Sequence, residues 1–172
     1  SCVGVGQYWC VECVEKQAKS MTQRQEFTVI QRFDGFELRK YAPCSIAEVK
    51  VSADYSSAGS LAFRYLFGYI SQGNQRSEKI AMTAPVISAQ KADKSADDEW
   101  FVSFVMPAGS TKADMPDPND SRVVLRQLDA EVCIAAPFRG KASADLAKKK
   151  VAELRALAAM ENIVLSDETR IC

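Results

Sequence analysis

A strand that runs into an acidic turn occurs twice in this chain, ninety-five residues apart. Val29-Ile30-Gln31-Arg32-Phe33-Asp34 lies over Val124-Leu125-Arg126-Gln127-Leu128-Asp129, and a further strand and a helix follow each copy. In the first copy Phe27 to Phe33 alternates in polarity, Asp34-Gly35 is a two-residue turn signal, and Phe36 to Val51 resumes with Leu38, Tyr41, Ile46, Val49 and Val51. This predicts a hairpin whose second arm bends at Pro43. A helix is expected from Ser56 or Ser57 to Ser71, stopping near Gly73-Asn74. Ile80 to Ser88 and Trp100 to Met106 read as two strands joined by the charged stretch Gln90 to Glu99.

The second copy has Glu131 to Phe138 as its return strand and a helix from Ser143 to Met160. That helix places Ala147, Val151, Leu154 and Ala158 on one face, with Lys148 to Lys150, Glu153 and Arg155 largely on the other. The proline-rich stretch Pro107 to Ser121 links the copies. Only Glu161 to Cys172 follows the second helix, enough for one strand around Ile163 to Leu165 and too little for a closing pair. The fold class is therefore α+β, with an N-terminal extension over 1–25 and a domain over 26–172. The domain divides into a first repeat over 26–106, a linker over 107–121 and a partial second repeat over 122–172. Glu131 to Phe138, or a neighbour of it, is expected to keep an unpaired edge, and Val151, Leu154 and Ala158 to be partly uncovered.

Composition narrows the chemistry. The chain has no histidine, which removes Ser-His and Cys-His nucleophile pairs, His-based zinc sites and a proximal histidine under haem iron. Twenty-two basic and 22 acidic residues are interleaved, so no surface is built to neutralise a nucleic acid backbone. The longest nearly apolar run, Leu61 to Ile70, carries Arg64 and is far shorter than the ~20 residues a membrane span needs. Glu12 and Glu15 make the first twenty residues unlike a secretory signal or transit peptide. Cys10 and Cys13 form a C-x-x-C without the second close pair that zinc requires, and nothing before Cys10 reads as a strand leading into a redox dithiol. No metal site is expected. Cys44 and Cys133 lie in predicted strands with no identified base, and no two carboxylates are spaced to face each other across a cleft, so an enzyme is not expected.

The first helix stands out. Eight of the ten residues from Leu61 to Ile70 are apolar or aromatic, so it is apolar nearly all round, whereas packing on one sheet needs a stripe a little over ~100° wide. Its second face must be covered by other parts of the domain, by a flat apolar ligand or by a partner protein.

Glu78-Lys79-Ile80-Ala81-Met82-Thr83-Ala84-Pro85-Val86 resembles the signature of the SOUL haem-binding protein family. Phe36 to Tyr41, Tyr69-Ile70 with Gly73-Asn74, and Trp100 to Pro107 followed by Met115 to Asp120 agree with the family in order and spacing, over about residues 26 to 172. The resemblance implies a twisted antiparallel β-barrel of two β-β-α-β-β pseudo-repeats flanked by two helices, the second repeat incomplete. It also implies haem or another tetrapyrrole in an apolar depression beside the first helix, with a role as carrier, buffer or sensor.

Lacking histidine, the chain would hold such a ligand by apolar contact. Transferred by position, Ser60, Phe63, Phe67 and Ile70 form the outer stripe of the first helix, Met82 lies nearby, and Arg64, Arg76 and Lys79 are the cations for propionates. The family pattern continues past the equivalent of Cys172, so a truncated chain or a protein partner covering the open barrel edge is expected. The alternative function is that of an accessory or structural subunit of a larger assembly, such as a photosynthetic membrane complex, docking through the aromatic helix face and Tyr8-Trp9. The plastid and bacterial branch is the nearer match, which implies a plastid location, with the cytoplasm as the alternative.

Overall fold

The computed structural model describes residues 7–13, 23–84, 86–90, 99–138, 143–166 and 169–171. Cys2, Pro85, Cys172 and nearly all of the Gln90 to Glu99 loop lie outside the described residues, as do the side chains of Tyr8, Trp9, Cys10 and Cys13. The elements are β1 (Gln7–Cys13), β2 (Gln23–Arg24), β3 (Phe27–Phe33), β4 (Phe36–Tyr41), β5 (Cys44–Ser52), α1 (Tyr55–Ile70), β6 (Thr83–Ala84), β7 (Val86–Gln90), β8 (Glu99–Val105), β9 (Val123–Leu128), β10 (Glu131–Phe138), α2 (Ala144–Met160) and β11 (Thr169–Ile171). Two helices and a mainly antiparallel sheet make the fold α+β, as expected.

β3 and β4 form the expected hairpin, and Gly35 takes the left-handed φ of 87° that its turn requires. Beyond Tyr41 the second arm does not merely bend. At Ala42-Pro43 the chain passes to a different part of the sheet, and β9 and β10 do the same at Asp129-Ala130. β4 pairs with β10 and β5 with β9, both antiparallel, in one register: Tyr41 faces Glu131 and Cys44 faces Leu128. The result is a single ladder running from Glu37 opposite Ala135 to Val49 opposite Val123.

This ladder corrects the repeat. β9 and β10 are not paired with each other, and the element matching β9 is β4, not β3. The offset is 87 residues for both strands, from Phe36 to Val123 and from Cys44 to Glu131, instead of ninety-five. The acidic positions misled because Asp34-Gly35 closes a hairpin whereas Asp129-Ala130 is a corner.

Hydrogen-bonded neighbours then run from β4 through β10, β1, β11, β7 and β8 to β5, the continuation of β4, so the sheet returns on itself. β3 and β9 are its ends. Nothing before Cys10 reads as a strand, yet Gln7–Cys13 forms one and pairs in parallel with β10. Glu131–Phe138 is therefore not an unpaired edge, being flanked by β4 and β1. Residues 163–165 are irregular, and the strand after α2 is β11, between β1 and β7.

Each helix covers its own half. Asp54 caps α1, accepting the Ser57 N–H at 2.8 Å, so the cap lies two to three residues before the expected start at Ser56 or Ser57. Ser143, where the second helix is expected to begin, caps α2 and accepts the Leu146 N–H at 3.3 Å. α1 buries Ala58, Ala62, Leu66 and Tyr69 against Val49, Val102, Phe104, Val123 and Leu125. α2 buries Leu154 and Ala158 against Phe36, Ile134 and Ala136, with Val151 packed alongside, so its stripe is covered. The opposite face of the same strands holds Ile46, Ile87 and Val105 together with paired charges: Arg39 with Glu37, Arg126 with Glu48, and Arg170 with Glu131.

Because one ladder joins the halves, damage beneath α2 should be felt beneath α1. Leu154→Ala is expected to lower stability by about 2–4 kcal/mol. In urea titrations far-UV and near-UV circular dichroism should shift together. A near-UV midpoint left unshifted would show that the halves unfold separately.

Candidate functional site

The end of α1 is fixed by its own turn-back. Gly73 donates its N–H to the Gly68 carbonyl at 2.8 Å, and a Cβ on Gly73 would lie 2.5 Å from that oxygen. Asn74, only 1% exposed, organises the next four residues. Its Nδ2 donates to the carbonyls of Tyr69 (3.0 Å) and Glu78 (2.8 Å), and its Oδ1 accepts the N–H groups of Arg76 (3.2 Å) and Glu78 (3.1 Å). Ile80 N–H then donates to the Ile70 carbonyl at 2.8 Å, and Tyr69 Oη donates to the Pro116 carbonyl at 2.9 Å. Burial pushes the Tyr69 phenol up to about 12, so it remains a donor at all ordinary pH. Three residues after Ile80, Thr83 donates its hydroxyl to the Val105 carbonyl. Met82 is thus held between the end of α1 and β8.

On the solvent side of α1 the rings of Phe63 and Phe67 stack with centroids 5.6 Å apart and planes 13° from parallel. Phe104 on β8 supports them from below, meeting Phe63 edge-on at 5.5 Å. Phe63 is 39% exposed, Phe67 48% and Met82 44%. Ser60 and Arg64 are exposed on the same helix, and the Arg64 guanidinium makes no ion pair among the described residues. Lys79 is exposed beside Ser71, to which its backbone is bridged.

Two expected site residues are engaged elsewhere. Ile70 is 5% exposed and belongs to the core under α1, because the helix is rotated to turn it toward the sheet. Arg76 donates Nη1 to the Asp114 carbonyl at 2.9 Å, on the proline-rich linker. Nothing in the sequence singles out Phe104, since in an alternating strand a ring that supports a surface pair looks like any other core ring. Asn74 entered only as a helix-stop signal.

The fold does not require this aromatic surface. α2 sits on its half of the sheet in the same manner and shows solvent Lys148, Lys149, Ala152, Glu153 and Ala156. Exposed paired phenyl rings must therefore be explained by something other than packing. A cavity of about 90 Å³ lies elsewhere, at the Ala42-Pro43 corner, lined by Gln25, Cys44, Thr83 and Met106 among others. It is too small to enclose a macrocycle. Burial raises the Cys44 thiol to about 11, which leaves it protonated and unreactive near neutral pH. No helix is long and apolar enough to cross a membrane, and among the described residues no His, Cys, Asp or Glu cluster is arranged to hold a metal ion.

A family model described as SOUL heme-binding protein matches residues 22–171. A mouse relative named "Heme-binding protein 2" is 26% identical over 136 residues, covering 77% of this chain and 66% of its own length.

Removing the Asn74 side chain leaves several buried backbone groups without partners. Asn74→Ala is expected to lower stability by about 2–3 kcal/mol in chemical denaturation. A loss below ~0.5 kcal/mol, the range of an ordinary surface change, would show that the turn holds without it.

Proposed function

The chain belongs to the SOUL heme-binding protein family, and from that premise we propose that it is a non-catalytic carrier, buffer or sensor of haem or another tetrapyrrole, held beside α1 by apolar contact without a histidine ligand. The observation that carries the reading is the exposed Phe63–Phe67 pair, supported by Phe104 and absent from the equivalent face of α2. Two near-parallel rings offer a flat apolar surface, which suits a flat conjugated ligand better than a flexible one. Met82, also exposed, would add a polarizable side chain to the same site. Arg64 and Lys79, exposed at its margin, suit the carboxylates that haem carries on one edge. Covering several hundred Å² of apolar surface at about 25 cal/mol per Å² is the source of affinity, reduced by the association cost. A plastid location follows the branch that the signature resembles.

The alternative, an accessory subunit of a larger assembly, uses the same aromatic face for a protein partner. Size-exclusion chromatography of native extract separates the two, since a species near the chain's own 18.9 kDa counts against an assembly.

Titration with haemin tests the main reading. Binding should alter the Soret band and quench tryptophan emission at micromolar concentrations. Phe67→Asp should abolish both effects while leaving the far-UV circular dichroism unchanged. A Soret band identical to that of free haemin at tens of micromolar protein overturns the proposal.

A further inference from the structure

Five glycines are described, and the fold accounts for three of them. Gly35 and Gly109 have φ of 87° and 80°, and Gly73 would collide with the Gly68 carbonyl if it carried a Cβ. Gly59 and Gly68 are different. Both lie inside α1, where glycine is a poor helix former, and a Cβ on either would meet nothing within 4 Å. Neither the backbone nor the packing asks for them.

Their positions give the reason. Gly59 is one helical turn before Phe63, and Gly68 directly follows Phe67 and stands one turn after Arg64. Side chains on a helix lean toward its N-terminus, so a side chain at Gly68 would lean over Arg64, and Gly59 is the spot over which Phe63 leans. Ser56, Ser57, Ser60 and Ser71 are the other small residues on this side. The stacked, exposed rings are a separate observation from the glycines, and the two coincide on one helix face.

We infer that Gly59 and Gly68 determine ligand specificity at this site: they keep the helix surface bare on both sides of the Phe63–Phe67 pair, so that a rigid planar ring system wider than the pair can lie flat across it and reach Arg64. This rests on the tetrapyrrole reading. A narrower apolar molecule needs only the rings, whereas a macrocycle needs the bare backbone beside them as well.

Three variants of the full chain test it: Gly59→Leu, Gly68→Leu, and the double variant with both glycines changed to alanine. Haemin is titrated against each, with anilinonaphthalene sulfonate, a small non-planar dye, as the comparison. Each leucine variant should bind haemin about tenfold more weakly and the dye within about twofold of wild type. The double alanine variant should melt about 2–4 °C higher than wild type, because the helix gains better formers at positions with room for them. Wild-type haemin affinity in both leucine variants overturns the inference and leaves the tetrapyrrole reading intact. A lower melting temperature in the alanine variant also overturns it, by showing that the glycines serve the fold. Parallel loss of dye and haemin overturns it as well, by showing general damage to the patch. No haemin binding by wild type overturns both readings.

Discussion

Everything in this chain hangs on the continuous antiparallel ladder between residues 37–49 and 123–135. Each of its strands turns a corner midway, at Ala42-Pro43 and Asp129-Ala130, so each strand serves both halves of the sheet. Proline is tolerated at that point because a corner needs no ladder donor. The ladder sets the two helices over separate cores, one under α1 and one under α2, while denying either core an independent frame. Its other face carries the ion pairs of Glu37, Glu48 and Glu131: Glu37 accepts from Arg39 on its own strand and from Arg32 on β3, Glu48 from Arg126 on β9, and Glu131 from Arg170 on β11. The Glu37 carboxyl is held below its usual range by the Arg39 guanidinium first and Arg32 second. A carboxylate with a depressed native pKa stabilises the fold above its unfolded pKa, and that contribution fades as pH falls through the native value.

The repeat lets the molecule serve as its own control. Two helices of nearly equal length pack on two halves of one sheet, yet their outer faces have diverged. α2 shows the lysines, glutamate and alanines expected of a solvated helix, and α1 shows paired rings, serines and glycines. Comparing them separates what the architecture needs from what has been added to it. The Asn74 knot belongs with the addition, because it fixes the segment from Lys79 to Thr83 against the end of α1 and so gives the aromatic surface a defined border.

Local chemistry was legible in the sequence where one residue decides the geometry. Gly35 in its turn, Ser143 at the start of its helix and the apolar stripe of α2 read directly into structure. Pairing was less legible, because strand partners are chosen by distant parts of the chain. An Asp at the end of a strand looks the same whether it closes a hairpin, as Asp34 does, or precedes a corner, as Asp129 does. β1 escaped notice because a short strand that pairs in parallel has no turn beside it to announce the partner. Within the site, the identity of Phe63, Phe67 and Met82 was readable and the rotation of the helix was not. In a segment apolar nearly all round, periodicity cannot say which apolar residues meet the sheet, and Ile70 turned out to be one of those that do.

The crossed ladder also bears on how the chain is made. Val49 finds its partner in Val123, so about seventy-four residues must leave the ribosome before that pair can form. At synthesis rates of roughly 5–20 residues per second, β4, β5 and the aromatic helix wait for several seconds with one side of their sheet unsatisfied. Contacts this distant in sequence also make folding slow once the chain is complete. The nascent first half is therefore the state in which Phe63, Phe67 and the open strands are most available for wrong associations, and protection by a chaperone matters more here than for a protein whose halves fold one after the other.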